Sequence, residues 1–208
     1  EKLTVQHKKT SNTKLVKGMR LTRRDLIELA LVSSDNVAAI TLGENYPGGI
    51  NYFVFQMNQH ARSLGMTNTG FVEPTGLSPL NSSSVRDIVT LTKTVSQYDI
   101  VKTAAIAPVD YVVVTRYTKE ISKKKKKRHI KQPRKASESS TVTAKIHTHP
   151  TSVFFGHEGI FTIKTGFTNA AGFCITMLVA ANDQIYNITV LGARTKKERQ
   201  MFVEQSLK

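Results

Sequence analysis

The stretch that decides the fold is FVFQMNQHARSLGMTNTGFVEPTGL, residues 53–77. Its first half carries the side chains of one helix face, namely Phe53, Met57, His60 and Leu64. Their spacing predicts an amphipathic helix over roughly residues 51–64. Residues 65–83 are rich in Gly, Pro, Asn, Ser and Thr, a composition typical of irregular structure. The stretch therefore predicts a helix followed by an irregular connection.

Two further helices are predicted before this stretch. Thr22, with Asp25 three residues later, forms a capping-box pattern, so a helix should begin directly after Thr22. Residues 33–36, SSDN, favour caps and turns, and an apolar helical pattern resumes over residues 37–42. The tripeptide SDN therefore lies where two helices meet.

After the irregular connection the periodicity changes from helical to strand-like. Ser84, with Asp87 three residues later, predicts another capped helix that ends near Tyr98. The segments that then predict strands are residues 111–115, 160–165, 173–179 and 186–191. A closing helix is predicted over residues 196–207. This order predicts an α+β fold in which a helical cluster packs on an antiparallel sheet.

Length and charge indicate one domain with a basic insertion. The 208 residues, 39% of them hydrophobic, predict a single domain over residues 1–208. The formal net charge is +15, and much of it lies in one run. The basic residues of that run are Lys123 to Lys127, Arg128, Lys131, Arg134 and Lys135. We therefore predict a solvated insertion at about residues 118–143, and the lack of interleaved aromatic side chains disfavours a nucleic-acid interface.

No segment predicts a membrane span or a secretory signal. The apolar runs are far shorter than the roughly 20 residues that cross a bilayer. Residues 1–17 are interpreted as charged and polar throughout, without the apolar core of a signal peptide. The single cysteine, Cys174, is predicted to be a small buried core residue. Three aromatic residues are also predicted to belong to the core, namely Phe154, Phe155 and Phe161.

Two short motifs stand out because of their predicted surroundings. Ser34-Asp35-Asn36 lies at the predicted helix junction, and Lys164-Thr165-Gly166 lies on a predicted strand. Penicillin-binding proteins and serine β-lactamases place motifs of these types in such contexts. The pair is therefore more informative than either tripeptide alone.

With these motifs, residues 53–77 resemble the low-molecular-mass penicillin-binding proteins, the serine-type D-alanyl-D-alanine carboxypeptidase family. Three further segments are similar to that family: LVKGM at residues 15–19, IKTGFTNAAGFC at 163–174 and ITVLGARTKKER at 188–199. The resemblance covers nearly the whole chain except residues 118–143. It implies a β-lactamase/DD-peptidase-like fold that is incomplete at the N-terminus.

The resemblance also implies roles for three catalytic residues. Ser34 would relay protons near the leaving group. Asn36 would hydrogen-bond the peptide carbonyl of the substrate and the catalytic lysine. Lys164 would add positive charge beside Ser34.

Three substrate-binding residues follow from the same resemblance. Thr165 would hold the terminal carboxylate of D-alanine, and Gly166 would let the substrate backbone approach closely. The backbone N–H of Phe167 would form half of an oxyanion hole. The family chemistry implies no metal and no cofactor.

Such an enzyme also needs a serine nucleophile that a lysine one helical turn away activates, a Ser-x-x-Lys motif. Before Ser34 the only such string runs from Ser11 to Lys14, where the family pattern has a surface segment and where no helical pattern is present. We therefore predict that the Ser-x-x-Lys part is absent from this chain. It would lie on a companion chain made by proteolysis, have been removed by truncation, or have been lost in an inactive relative.

A group of histidines raises the alternative of a metal site. It consists of His147, His149 and His157, with Glu158 beside the last of them. Imidazole is a common zinc ligand, but no Cys or Asp cluster completes a ligand set. We therefore predict exposed or packing histidines and no metal.

Together these observations predict a D-alanyl-D-alanine carboxypeptidase-like protein that acts on peptidoglycan stem peptides by acyl transfer and binds β-lactams. Its predicted location is the cell envelope, the periplasm or the cell exterior, including a virion. The alternative is a catalytically inactive structural or peptidoglycan-binding component, for example of a phage particle or an envelope assembly. Nucleic acid is not a predicted partner.

Overall fold

The computed structural model describes residues 1–7, 13–106, 111–118, 140–147, 154, 158–181 and 183–207, with the backbone alone for 106, 111–118 and 140–147. The helices are α1 (Arg23–Val32), α2 (Asn36–Glu44), α3 (Gly49–Ser63), α4 (Val85–Val95), α5 (Asp99–Ile106) and α6 (Lys196–Ser206). The strands are β1 (Lys2–Thr4), β2 (Met19–Thr22), β3 (Tyr111–Thr118), β4 (Ser140–His147), β5 (Ile160–Thr168), β6 (Gly172–Ala181) and β7 (Gln184–Ala193). The predicted α+β class is confirmed, while α5, β1, β2 and β4 were not predicted.

Capping side chains begin the helices where the sequence predicts them. Thr22 accepts the Asp25 backbone N–H, and Asp25 accepts the Thr22 N–H, which completes the predicted capping box of α1. Ser84 caps α4 by accepting the Asp87 backbone N–H at 3.2 Å. Both caps are local interactions within four residues, so the sequence pattern alone was sufficient to find them.

Two antiparallel sheets contain the described strands, in the orders β1-β2-β3-β4 and β5-β6-β7. In the second sheet Lys164 of β5 pairs with Thr176 of β6, and Thr176 pairs with Thr189 of β7. Gly172, at the start of β6, has φ 71°, and a Cβ there would lie 2.8 Å from the Ala193 carbonyl oxygen, so only glycine fits. The strand order leaves β5 at one end of its sheet in the described part of the chain.

The core is divided into two clusters of buried side chains. One joins β1 and β2 to α1 and α2, and consists of Leu3, Val5, Leu15, Leu21, Leu26, Leu29, Val37 and Ala38. The other joins the second sheet to α6, with α5 at one side, and consists of Ala105, Ile160, Ile163, Ile175, Met177, Val179, Ile188 and Val203. The helical cluster and the sheet predicted from sequence therefore each have their own apolar interior.

The structure corrects three burial predictions. Residues 1–17 are not polar throughout, because Leu3, Val5 and Leu15 are buried in the first cluster. Cys174 is only half-buried, because it alternates with the buried Ile175 and lies on the other face of β6. Phe161 is exposed at the register shift between Ile160 and Thr162, whereas Phe154 packs on the second cluster as predicted.

Side-chain hydrogen bonds order the irregular connection of residues 65–83. Asn58 of α3 binds both backbone groups of Phe71, donating to the carbonyl at 2.7 Å and accepting the N–H at 2.8 Å. The Glu73 carboxylate accepts hydrogen bonds from Thr75, from the Ser78 N–H at 3.1 Å and from Asn81 Nδ2 at 2.6 Å. Burial raises the pKa of Glu73, but the hydrogen bonds from Thr75 and from the backbone of Ser78 and Gly76 outweigh it and lower the pKa below its ordinary value.

Replacing Glu73 with glutamine should make the stability of the protein less sensitive to acid. Because folding lowers the Glu73 pKa below 4.5, the carboxylate stabilises the fold above that pH, and this contribution is lost as pH falls through the folded pKa. Urea unfolding at pH 7 and at about pH 3.5 should therefore show a smaller loss of stability for the variant. Glu204→Gln, at an exposed position of α6, is the control. Equal losses for parent and Glu73→Gln would contradict the prediction.

Candidate active site

Ser34 lies in the turn between α1 and α2. Ser33 caps the end of α1, and Ser34 itself has φ 53°, in the left-handed region where helices commonly end. The next residue, Asp35, returns its backbone N–H to the Leu29 carbonyl at 3.1 Å. The backbone therefore reverses at Ser34 and holds its side chain at the helix junction.

Asp35 fixes this turn from inside the protein. Its Oδ1 accepts the Ala38 backbone N–H at 3.0 Å and so caps α2. Its Oδ2 accepts the Thr13 hydroxyl at 2.6 Å, and Thr13 Oγ1 in turn accepts the Leu15 N–H at 3.0 Å. Both Thr13 and Asp35 are buried. Sequence reasoning missed Thr13, because no local pattern links it to a residue 22 positions later.

Lys164, on β5, reaches the same turn. Its Nζ donates to Ser34 Oγ at 2.6 Å and to the Thr165 carbonyl at 2.7 Å. The two residues are 130 positions apart in the chain, yet the hydroxyl and the ammonium are in direct contact. The structure thus brings together two of the three residues that the sequence predicted as catalytic.

The environment of Lys164 makes its ammonium easier to deprotonate than that of an ordinary lysine. The side chain as a whole is half-buried, but its ammonium is enclosed, and burial lowers the Lys164 pKa from 10.5 to about 8. With a pKa near 8, roughly one Lys164 in ten is uncharged at pH 7. The side chain can therefore hold a positive charge against an anion or exchange a proton with the Ser34 hydroxyl.

Replacing Lys164 with methionine should change how stability depends on pH in the alkaline range. Between pH 8 and 10.5 the unfolded chain holds a proton on this side chain that the folded chain has released. Stability therefore rises with pH across that window in the parent protein. Urea unfolding at both ends of the window should show a smaller rise for Lys164→Met, and Lys196→Met on α6 is the control. An identical rise in the parent and Lys164→Met would contradict the lowered pKa.

The rest of the motif lies along the same strand. Thr165 is buried, whereas Gly166 and Phe167 are exposed. Apart from Gly166 itself and its two chain neighbours, no described atom lies within 4 Å of the position a Gly166 Cβ would take. The Phe167 ring stacks on Phe173 with 4.2 Å between ring centroids. The surface over Gly166 is therefore open, and the Phe167 side chain is held to one side of it.

Asn36, the third predicted catalytic residue, is the first residue of α2 and is half-buried. Its position next to Asp35 places it in the same turn as Ser34. Ser11 lies outside the described residues, and Lys14 is exposed. His149 and His157 also lie outside them, and His147 is described by its backbone alone.

Arg199, on α6, is a second buried cation that the sequence reasoning did not select. Its Nη1 donates to the Cys174 carbonyl at 3.4 Å, and Cys174 is the strand partner of Gly166. Its Nε is buried without a hydrogen-bond partner in the described structure. Burial lowers the Arg199 pKa, although Cys174 acts in the opposite direction. Positive charge therefore lies at the strand partner of Gly166 as well as beside Ser34.

The comparison with known families gives this geometry its context. The family model described as D-alanyl-D-alanine carboxypeptidase matches residues 2–195. The chain belongs to the D-alanyl-D-alanine carboxypeptidase family. This confirms the resemblance on which the site residues were selected.

Two D-alanyl-D-alanine endopeptidases are among the relatives of this family member. The D-alanyl-D-alanine endopeptidase of Pseudomonas aeruginosa is 36% identical over 184 residues, covering 85% of this chain and 49% of the relative. That of Escherichia coli is 34% identical over 173 residues, covering 83% and 48%. The chain thus spans about half the length of these relatives.

A solved structure supports the fold. A penicillin-binding protein of Listeria monocytogenes, in its ampicillin-bound form, aligns with a TM-score of 0.73 at 24% identity. The alignment covers 99% of this chain and 74% of that one. At this identity the likeness establishes the fold alone. In the part of the chain that is described, no helix is both long and apolar enough to cross a membrane.

Proposed function

We propose that this chain forms the substrate-binding and proton-transfer part of a serine-type D-alanyl-D-alanine peptidase. Its substrate would be the stem peptide of peptidoglycan, and its reaction an acyl transfer. The observation that carries this proposal is the 2.6 Å contact between Lys164 Nζ and Ser34 Oγ. This contact joins the two family motifs. Burial lowers the Lys164 pKa to about 8, which is closer to neutral pH than that of an ordinary lysine.

Each group in the site has a task in this reaction. A serine oxygen supplied with a Ser-x-x-Lys segment from outside this chain attacks the carbonyl between the two D-alanine residues, and the lysine of that segment takes the serine proton. The backbone N–H of Phe167 stabilises the oxyanion that forms. Ser34 and Lys164 pass a proton to the departing amine, and water then hydrolyses the acyl-enzyme.

The substrate would lie along the edge strand β5. Its free carboxylate would meet the Thr165 hydroxyl and the positive charge of Lys164, to which the buried Arg199, bound to the Cys174 carbonyl of β6, would add. The open surface over Gly166 leaves room for the substrate backbone. Asn36 would hydrogen-bond the peptide carbonyl from the start of α2. The proposed site needs no metal and no cofactor.

The names of two relatives suggest which peptide bond is cleaved. Two relatives above 30% identity that align with more than four-fifths of this chain are D-alanyl-D-alanine endopeptidases. We therefore propose endopeptidase cleavage as a second candidate beside carboxypeptidase cleavage. Both reactions place the protein at the cell wall, in the envelope or periplasm, and both predict acylation by β-lactams.

The test is fluorescent penicillin labelling of the full-length protein isolated from its source, followed by intact mass, N-terminal sequencing and peptide mapping. We expect label on a serine in a Ser-x-x-Lys segment outside the 208 residues, in the same polypeptide or in a companion fragment. Label on Ser11 would overturn its exclusion as the nucleophile. A protein that takes no label yet binds peptidoglycan would contradict the proposal and favour an inactive cell-wall-binding component.

A further inference from the structure

A line of polar side chains connects α4 to the second sheet on the Lys164 side. The Thr92 hydroxyl donates to the Ile88 carbonyl at 2.7 Å, and Thr92 Oγ1 lies 2.7 Å from Thr176 Oγ1. Thr176 Oγ1 lies 2.8 Å from Thr189 Oγ1, which lies 2.8 Å from Asn187 Oδ1. Thr92 is buried, so this chain of contacts begins inside the protein.

Counting the hydroxyl protons shows which atom donates in each of these hydrogen bonds. Three hydroxyl protons cannot fill four contacts that end on acceptors at both sides, the Ile88 carbonyl and Asn187 Oδ1. Asn187 Nδ2, meanwhile, is buried without a partner among the described residues. Turning the amide so that Nδ2 faces Thr189 supplies the fourth proton, and the Asn187 oxygen then takes the buried place that has no partner among the described residues. Each hydroxyl then donates to the next, and the Thr176 proton belongs to Thr92.

This direction determines how Thr176 meets Lys164. The two residues are direct partners in the β5–β6 pair, which places their side chains next to each other on one face. Thr189 lies on β7, on the opposite side of Thr176 from Lys164. The Thr176 hydroxyl is therefore bound toward β7 and α4, and neither hydrogen bond is directed at β5.

We propose that Thr176 is a positioning residue for Lys164. The hydrogen bonds of the Thr176 hydroxyl with Thr92 and Thr189 keep the Thr176 methyl group against the lysine stem. Without these hydrogen bonds, rotation about the Thr176 Cα–Cβ bond would bring the Thr176 hydroxyl toward Lys164 and give the ammonium a polar neighbour. With these hydrogen bonds in place, Lys164 keeps its own hydrogen bonds to Ser34 and to the Thr165 carbonyl. An apolar wall on this side is consistent with burial as the cause of the lowered Lys164 pKa.

Other ionisable groups near Lys164 do not account for this environment. Asp35, beside Ser34, is bound to Thr13 and to Ala38. On α5, which packs on β5, Asp99 and Lys102 pair with each other at the surface. On the sheet side, Cys174 is half-buried, and the Arg199 guanidinium binds the Cys174 carbonyl.

The test compares Thr176→Val with Thr176→Ser by two measurements. One is the Lys164 pKa, from NMR titration of protein with ¹³C-labelled lysine, with the signal assigned by its loss in Lys164→Met. The other is stability in urea. Thr176→Val removes the hydroxyl but keeps an apolar wall, so it should lower stability and leave the Lys164 pKa near 8. Thr176→Ser keeps the hydroxyl but opens the wall, so the pKa should rise toward 10.5 with less loss of stability.

A purely structural role predicts a different pattern. Thr176→Val would then lose stability, and neither variant would move the Lys164 pKa, which would overturn the proposal. A rise of the pKa in both variants, or a parent value near 10.5, would overturn it as well. The role of Thr176 in catalysis rests on the proposed function. Its effect on the Lys164 pKa does not, because the titration is measured without any reaction. A protein that shows the expected pattern but takes no penicillin would contradict the function and leave the positioning role intact.

Discussion

Replacing Lys164 with methionine is expected to slow acylation of the full-length protein by fluorescent penicillin about 100- to 1000-fold. Methionine keeps an unbranched side chain of similar length but removes the ammonium that binds Ser34 Oγ at 2.6 Å. The proposed reaction would lose both the positive charge assigned to the substrate carboxylate and a partner for the Ser34 proton. The measurement is the second-order rate of labelling at pH 7 and constant salt.

Lys164→Arg is the matched variant for this prediction. It restores a positive charge, but its guanidinium does not release a proton near neutral pH. If Lys164 acts only through charge, Lys164→Arg should recover most of the labelling rate. If proton exchange with Ser34 matters, Lys164→Arg should stay far below the parent protein. Parent-like labelling by a folded Lys164→Met protein would remove Lys164 from the mechanism.

Replacing Asp35 with alanine is expected to lower the free energy of unfolding by about 2–4 kcal/mol. The change removes the cap of α2 and leaves the buried Thr13 hydroxyl without the acceptor that it contacts at 2.6 Å. Ser34 precedes Asp35 directly and has a left-handed backbone, so its turn should loosen as well. Urea unfolding gives the stability loss, and penicillin labelling of the folded fraction gives the effect on the site.

Asp35→Asn separates the two parts of this effect. Asparagine is also a good helix cap, and its Oδ1 can still accept the Ala38 N–H. The variant should therefore retain most of the cap energy while its bond to Thr13 weakens. Thr13→Val isolates the hydroxyl and should lower stability by about 1 kcal/mol or more. A stability of Asp35→Ala within about 0.5 kcal/mol of the parent would contradict the structural role of this carboxylate.

Elements that depend on local signals were predictable from the sequence. The caps at Thr22 and Ser84 each join residues three positions apart, and the predicted α1 and α4 begin directly after them. The predicted strands of the second sheet also appear, each slightly longer than its apolar run. The sequence predicts them because their β-branched and apolar residues are typical of strands, a signal that lies within each short segment.

Elements that depend on distant partners were not predictable in this way. Helix α5 has only eight residues and packs with α1 and β5, which a short local pattern cannot reveal. Strand β1 forms because Lys2–Thr4 pairs with β2, some 18 residues later. Strand β4 begins at Ser140, inside the predicted insertion, because it pairs with β3 along its whole length. In each case the partner strand or helix supplies the stabilising contacts.

The sequence by itself determined the family, the starts of α1 and α4 and the identity of the two motifs, because these depend on residue types at short, fixed spacing. Tertiary structure alone decided that Lys164 Nζ touches Ser34 Oγ, that Thr13 holds Asp35, and that the Lys164 pKa falls to about 8. A hydrogen bond across 130 positions and the burial of an ammonium depend on which elements pack together. No periodicity along the chain encodes that packing, since it arises only when the helical cluster meets the sheet.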